Sequence, residues 1–273
     1  LHLRDTLIIH RDSVPGEPAI EDADGVVLEP AHIACQQPEV FEYLSPGEAI
    51  SLNDGKISGV IQNVSTEQLE VEITKAKPTG SRLRGQRGIN FPNSDIRLPG
   101  LTKADEENLA FVAEHADAVS LSFIRKPKDV EALLAALDEL SAAHLGLIIK
   151  VETRKGFKRL PKVMLAAMRR YPVAVMIARG DLAVECGWER LAELQEEILW
   201  VCEAARMPVM WATQVLEQEA KKGLPSRAEI TDAAQSQRAD CVMLNKGPHI
   251  LAAIHTLDSI LRGMQSLHFR KTS

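Results

Sequence analysis

The chain has 273 residues, 45% of them hydrophobic and 26% charged, with a formal net charge of -6 and a pI near 5.8. This is the composition of a soluble globular protein with room for one large or two small cores. The acidic balance argues against broad electrostatic attraction to nucleic acid or to an anionic membrane. No stretch reaches the roughly 20 apolar residues of a membrane helix. We therefore expect a cytoplasmic protein that acts on a small molecule.

The four cysteines show no CxxC spacing, and three of them lie in apolar runs. This distribution is typical of buried free thiols rather than of a metal site or a disulfide. The four are Cys35, Cys186, Cys202 and Cys241.

The chain begins at Leu1 without a methionine and enters a strand-like run almost at once, so we expect the natural protein to continue upstream. Residues 1–88 then show short alternating runs separated by turn clusters such as Asn53-Asp54-Gly55. This spacing predicts a small β-barrel or sandwich. The predicted strands are 6–9, 26–28, 57–61 and 69–73.

Residues 89–273 have a different hydrophobic pattern, in which helix-length amphipathic stretches alternate with short and nearly continuous apolar runs. Strands buried on both faces, as in a parallel sheet covered by helices, have this pattern. The runs are 118–123, 145–150, 173–178, 208–212 and 241–244, and an amphipathic helix follows over 250–267. We predict an α/β fold with five βα units of an eight-unit TIM-type β/α barrel, so that three units are missing.

Two helix starts carry capping-box spacing. Thr102 is followed three residues later by Asp105, and Ser226 by Glu229. We expect these four residues to be structural.

Polar side chains at the carboxyl ends of the predicted strands are the candidates for chemistry, because the loops there converge on one mouth of a β/α barrel. Glu152 and Asp181 follow consecutive strands, and two carboxylates together with substrate and water oxygens suit Mg²⁺ or Mn²⁺. Lys150 points to the same side of its strand as Glu152. This combination predicts a site for an anionic substrate bound through a metal.

A purely structural interpretation of the same residues stays open on spacing alone. Lys150 and Glu152 would then form an ion pair at a strand end, and Asp181 would cap the next helix. Gly180 shifts the balance towards a binding site, because glycine lets backbone N–H groups approach an anion closely. For Thr213, taken alone, a helix N-cap is the favoured interpretation.

Eight motifs along the chain, taken in order, closely resemble the pyruvate kinase family. In the barrel region they are Arg87 to Pro92, Leu98 to Asp105, Ser122-Phe123-Ile124-Arg125-Lys126, Ile149-Lys150-Val151-Glu152, Met176 to Leu182, Pro208 to Leu216, Pro225 to Glu229, and Ala239 to Leu244. The β-rich part matches through Asp5-Thr6-Leu7 and Asp54-Gly55-Lys56-Ile57. The resemblance covers essentially the whole chain.

The resemblance implies a β-rich lid domain over residues 1–88 and the last five barrel units over 89–273. It also implies a phosphotransferase of glycolysis that moves the phosphoryl group of phosphoenolpyruvate to ADP. In that scheme Lys150 stabilises the phosphoryl group in transfer, and Glu152 and Asp181 hold Mg²⁺ or Mn²⁺. The Gly180 and Asp181 amides receive the substrate carboxylate, and Thr213 lies near the carbon that is protonated to give pyruvate.

Further implications are K⁺ as a monovalent cation, ADP and ATP as co-substrates, and a homo-oligomer. We predict that Arg87, Asn245 and Lys246 contact the nucleotide. The chain departs from the family at Asn245–His249, where the family has a Ser-Gly-Glu-Thr-type loop; an exposed loop lysine is the simpler interpretation of Lys246. We also expect the family's regulatory carboxyl-terminal domain to be absent and this piece alone to be inactive.

Two alternatives accompany the kinase hypothesis. One is a Mg²⁺-dependent enzyme of the aldolase type that acts on pyruvate or its enolate, for which a β-rich lid is unnecessary. The other is a non-catalytic homologue that binds metal and phosphoenolpyruvate, as the altered loop at Asn245–His249 suggests.

Overall fold

Strands in the first 99 residues pair into a six-stranded sheet in the computed structural model, which describes residues 1–271 and the side chains of residues 1–267. The strands of this first unit are β1 Thr6–His10, β2 Ile20–Glu21, β3 Val27–Glu29, β4 Ala31–Ala34, β5 Ala49–Leu52, β6 Ile57–Val64, β7 Gln68–Lys75 and β8 Ile89–Asn90. The sheet order is β4-β1-β7-β6-β5-β8, while β2 and β3 form a separate hairpin. Only the β1–β4 pair in this sheet is parallel.

One face of this sheet forms the core of the first unit. Alternate residues of the long strands are buried, as the two-residue period of a strand requires when one face is covered. In β7 these residues are Leu69, Val71 and Ile73, and β6 contributes Ile57 and Ile61. All four predicted strands are present within one to three residues, as β1, β3, β6 and β7, and the structure adds β2, β4, β5 and β8.

The chain divides into two compact units after Pro99, further along than the boundary predicted after residue 88. The reason is the pairing of Ile89 and Asn90 with β5, which keeps β8 in the first unit. The assignment of the two units as lid and barrel domains stays a prediction.

A five-stranded parallel sheet organises the second unit, in the order β13-β12-β11-β10-β9. Its strands are β9 Ala118–Leu121, β10 Gly146–Val151, β11 Val173–Ala178, β12 Val209–Val215 and β13 Cys241–Leu244. All five coincide closely with the predicted runs. Sequential parallel strands joined by helices are the βα units of a barrel, so the predicted fold class is confirmed.

The helices of the second unit are α1 Lys103–His115, α2 Pro127–Glu139, α3 Arg154–Lys158, α4 Leu160–Ala167, α5 Arg179–Cys186, α6 Leu191–Ala204, α7 Glu217–Lys222, α8 Arg227–Gln235 and α9 Ile250–Lys271. Both predicted capping boxes are formed, at the start of α1 by Thr102 with Asp105 and at the start of α8 by Ser226 with Glu229. Among the described residues no helix is long and apolar enough to cross a membrane.

The cysteine prediction is correct for three residues and wrong for the fourth. All four are free thiols, and Cys35, Cys186 and Cys202 are buried. Cys241 is exposed because it opens β13, which has a paired neighbour on one side only.

Candidate functional site

Lys150 and Glu152 form an ion pair at the carboxyl end of β10. The Lys150 Nζ lies 2.7 Å from Glu152 Oε1 and donates a hydrogen bond of 2.8 Å to Ser122 Oγ, in the loop after β9. Residues two apart on a strand face the same side, so the local structure alone brings the two side chains together. The pair is compatible with both interpretations of the sequence.

The Glu152 carboxylate is buried, with 2% of the residue exposed. Burial raises the pKa of Glu152, and the negative charge of Asp181 adds to the rise, whereas Lys150 and a hydrogen bond from the Phe123 amide oppose it. Phe123 adopts a left-handed backbone conformation (φ 51°) to make this donation. A buried carboxylate supported by a strained backbone is typical of functional sites.

Asp181 lies in the first turn of α5, immediately after β11. Its negative charge contributes to the raised pKa of Glu152, for which burial is the main cause. Among the described residues no three His, Cys, Asp or Glu side chains are grouped to hold a metal. Two carboxylates nevertheless suit Mg²⁺, which commonly takes one or two protein carboxylates and completes its shell with water and substrate oxygens. Both Glu152 oxygens keep a lone pair beyond their present contacts.

Thr213 is part of β12 and not a helix N-cap, so that interpretation is wrong; Leu216 precedes α7 instead. The Thr213 hydroxyl accepts a hydrogen bond of 3.0 Å from the Gly180 amide at the start of α5. The structure therefore brings two of the predicted substrate-binding residues into direct contact. In this state the Gly180 amide, which the resemblance assigns to a substrate carboxylate, is paired with Thr213.

The end of β12 is strained around Thr213. Thr213 and Gln214 both have positive φ, 68° and 60°, and the pairing of β12 with β13 shifts register between Trp211 and Val215. Positive φ is unusual for a β-branched residue, and bulges commonly re-aim a side chain beside an active site. Such conformations cost on the order of 1–3 kcal/mol each, so the surrounding structure must enforce them.

The Arg179 side chain holds the end of β12 in this conformation. Its Nε donates to the Ala212 carbonyl at 2.9 Å, its Nη2 donates to the Thr213 carbonyl, and both terminal nitrogens pair with the Asp232 carboxylate. The guanidinium carbon also lies 4.7 Å from the ring centroid of Trp211, which is fully buried. One buried guanidinium thus anchors the strained end of β12 to α8.

The sequence had shown Arg179 inside a motif but had given its side chain no role. Asp232 is 53 residues away along the chain and gave no signal at all. An arginine directly after a fully apolar strand is a signal that could have marked Arg179, because a buried guanidinium needs carbonyl or carboxylate partners.

The predicted nucleotide residues fall in both units, Arg87 in the first and Asn245 and Lys246 in the second. Arg87 is exposed in the loop between β7 and β8 of the first unit. In the second unit, Asn245 donates to Glu217 Oε1 at 3.0 Å and Lys246 is exposed. The loop that follows β13 is held against α7, since a Cβ on Gly247 would lie 2.1 Å from the Ala220 carbonyl oxygen.

Gly156 is the point where α3 packs on the loop that carries Ser122 and Phe123. A Cβ there would lie 2.2 Å from the Ile124 carbonyl oxygen. We expect Gly156→Ala to destabilise the chain by about 1–3 kcal/mol, because backbone must move to admit the methyl group. Urea denaturation measures the change. Gly263→Ala in α9 is the matched control, since its Cβ meets nothing within 4 Å; it should be stabilising by about 0.5–1 kcal/mol, and equal effects at the two positions would refute the packing argument.

Glu185, in α5, gives a pH dependence of stability. Burial raises the pKa of Glu185 to about 7, and the charge of Asp181 adds to the rise, against the hydrogen bond and charge of Arg154. The folded state therefore holds a proton that the unfolded state releases near pH 4.5. The contribution of this proton to the free energy of unfolding is fully present below pH 4.5 and is lost as the pH rises through about 7.

We expect Glu185→Gln to remove this dependence. Between pH 4.5 and 7.5 the wild-type free energy of unfolding should fall relative to the variant by up to about 3 kcal/mol. Urea denaturation across this range measures both curves. Parallel curves would show that Glu185 titrates alike in the folded and unfolded states.

Comparison with known proteins identifies the family. The model of the pyruvate kinase barrel domain matches residues 21–248. The pyruvate kinase of Bacillus licheniformis is 29% identical over 264 residues, which is 94% of this chain and 44% of the relative. Human pyruvate kinase PKLR is 33% identical over 241 residues (86% and 40%), and the Geobacillus stearothermophilus pyruvate kinase is 30% identical over 249 residues (88% and 41%).

The chain spans less than half the length of these curated relatives. The family match runs through most of the β-rich unit as well as through the five βα units. From this match and from the collinear motifs, we conclude that the chain belongs to the pyruvate kinase family.

Proposed function

We propose that the complete protein is a pyruvate kinase of glycolysis, transferring the phosphoryl group of phosphoenolpyruvate to ADP to give pyruvate and ATP in the cytoplasm. The observation that carries the proposal is the Lys150 ammonium, 2.7 Å from buried Glu152, beside the second carboxylate Asp181 at neighbouring strand ends. Phosphoryl transfer depends chiefly on positioning and on offsetting negative charge, which these groups are suited to do.

Lys150 would act on the transferring phosphoryl group. An ammonium has three donors, and the contacts with Glu152 and Ser122 engage two of them. The third is available for a phosphoryl oxygen. Because Glu152 and Ser122 fix the position of Nζ, little ordering is left to occur during the reaction.

Glu152 and Asp181 would hold Mg²⁺ or Mn²⁺. A bound divalent cation would supply positive charge that offsets the phosphate and carboxylate oxygens of the substrate. Burial raises the pKa of Glu152, and the negative charge of Asp181 adds to the rise, so a bound cation would favour the charged form of both carboxylates. A cation requirement for substrate binding follows from this arrangement.

Gly180 and Thr213 would handle the three-carbon part of the substrate. A substrate carboxylate that takes the Gly180 amide replaces the Thr213 hydroxyl, which at present accepts from that amide. The freed hydroxyl is then available near the carbon that is protonated when the enolate becomes pyruvate. Arg179 keeps the Thr213 backbone in place during this exchange.

We also propose that the complete protein uses ADP and ATP as co-substrates, requires K⁺ and forms a homo-oligomer. Arg87 in the first unit and Lys246 in the second are each exposed and carry positive charge that a polyphosphate attracts, and Asn245 could contact the nucleotide on release from Glu217. The hydrogen bond from Asn245 to Glu217 also favours a second candidate function. With Asn245 engaged by Glu217, a homologue that binds metal and phosphoenolpyruvate without turnover is also compatible with the site.

Turnover by the complete protein distinguishes the two candidates. We expect pyruvate and ATP to form from phosphoenolpyruvate, ADP and Mg²⁺ with K⁺ present, and no product without Mg²⁺. Phosphoenolpyruvate binding that depends on Mg²⁺ but gives no pyruvate would support the non-catalytic homologue. Pyruvate condensation or cleavage would support the aldolase alternative, to which the match across the β-rich unit gives no support.

A further inference from the structure

A cavity of about 400 Å³ in the second unit is surrounded by basic side chains. It lies between the end of the β9–α2 loop and the segment where α3 passes into α4. Its lining residues are Lys126, Pro127, Lys158, Arg159, Pro161 and Lys162. Four of these six carry a positive charge and none is acidic, although the whole chain has a net charge of -6.

The positive side chains around this basic pocket make no ion pair with a carboxylate in the part of the chain that the structure describes. Among the described residues, no carboxylate lies within 4.0 Å of the side-chain nitrogens of Lys126, Lys158, Arg159 or Lys162. Residues 154–162 hold five basic residues and no acidic one. Like charges gathered around a concave surface repel one another and focus a positive potential that favours an anion.

The pocket is built on ordered backbone. Pro127 and Pro161 lie in the first turns of α2 and α4, and their rings fix φ on both sides of the cavity. The two walls are joined to each other by the Thr153 hydroxyl, which donates to the Ile124 carbonyl at 3.0 Å, and by Arg159 Nη1, which donates to the Arg125 carbonyl at 3.4 Å. The four charged side chains therefore project from a preformed frame.

We propose that this basic pocket binds a small molecule that carries two or more phosphoryl groups. The volume is at the lower end of the range of about 300–1,000 Å³ typical of small-molecule sites. Three ammonium groups and one guanidinium match several phosphoryl oxygens, and the guanidinium fork can hold one phosphoryl group through two hydrogen bonds. A nucleic acid would need an extended basic surface, which the acidic balance of the chain does not favour.

The pocket is separate from the candidate active site. Lys150 and Glu152 are not among its lining residues, and the inference does not depend on the proposed function. The β9–α2 loop nevertheless carries both Lys126 and the Ser122 that contacts Lys150. A ligand that joins the two walls would therefore also restrain the loop beside Lys150.

Isothermal titration of the chain with inorganic pyrophosphate, at near-physiological salt, tests the proposal. We expect saturable binding with a Kd below about 1 mM. Lys158→Gln combined with Lys162→Gln should weaken it at least about tenfold. Both lysines are exposed, so circular dichroism should show an unchanged fold.

The matched control removes the same charge elsewhere, through Lys103→Gln combined with Lys222→Gln, two exposed residues outside the pocket. This pair should bind pyrophosphate like the wild type. Equal weakening by both pairs would mean unspecific attraction and would overturn the proposal, as would the absence of saturable binding. Tighter binding of a single-stranded oligonucleotide than of pyrophosphate would replace it with a nucleic-acid surface.

Discussion

Replacing Lys150 with methionine is expected to lower kcat for pyruvate formation by about 10²–10³-fold or more. The ammonium is held between Glu152 and Ser122, with one donor left for the transferring phosphoryl group. This charge acts most strongly as the phosphoryl group moves, so kcat should fall much more than KM rises. Steady-state kinetics of the complete protein at saturating Mg²⁺ measures both constants.

Lys103→Met is the matched control for this experiment, since Lys103 is an exposed residue at the start of α1. It should leave both constants unchanged. Lys150→Arg keeps the charge and changes its shape, and should retain part of the activity. A Lys150→Met variant that keeps kcat and raises KM would assign Lys150 to substrate binding alone.

Replacing Arg179 with methionine should destabilise the second unit by about 3 kcal/mol. The change leaves the Asp232 carboxylate without its cation and removes the donors for the Ala212 and Thr213 carbonyls. Methionine fills part of the volume, so the cost is electrostatic and hydrogen-bonding more than it is steric. The unfolding midpoint in urea, followed by far-ultraviolet circular dichroism, measures the loss.

A double-mutant cycle with Asp232→Asn isolates the ion pair. Asp232→Asn alone should cost less than Arg179→Met, since Asp232 is partly exposed and the two carbonyls keep their donors. The double variant should be more stable than the sum of the single changes predicts. Strict additivity would show that the pair contributes nothing and that Arg179 stabilises β12 through the carbonyls alone.

The parallel sheet could be predicted because its strands are buried on both faces and so appear as continuous apolar runs. The ion pair of Lys150 and Glu152 could also be predicted, since strand alternation puts both side chains on one side. β4 and β5 gave no clear signal, because they are short and mix small and polar residues with apolar ones. The parallel pairing of β4 with β1 is a long-range contact, which the local sequence pattern does not predict.

The parts of the candidate site that could not be predicted depend on tertiary contacts. A positive φ at Thr213 runs against the preference of a β-branched residue, so nothing local indicates it. It exists because Arg179 joins β12 to Asp232 on a distant helix. The exposure of Cys241 has the same kind of origin, since its apolar run predicts burial and the position of β13 in the sheet decides otherwise.

The most direct test of a site shared by Glu152 and Asp181 is Mn²⁺ binding to the complete protein, followed by electron paramagnetic resonance. Glu152→Gln and Asp181→Asn should each weaken binding at least about tenfold, whereas Asp258→Asn, on the surface of α9, should have no effect. Loss in both site variants, with the control intact, would establish that the two carboxylates hold one cation. Mn²⁺ affinity equal to the wild type in both site variants would contradict a cation site shared by Glu152 and Asp181. Lys150 and Glu152 would then be a structural ion pair.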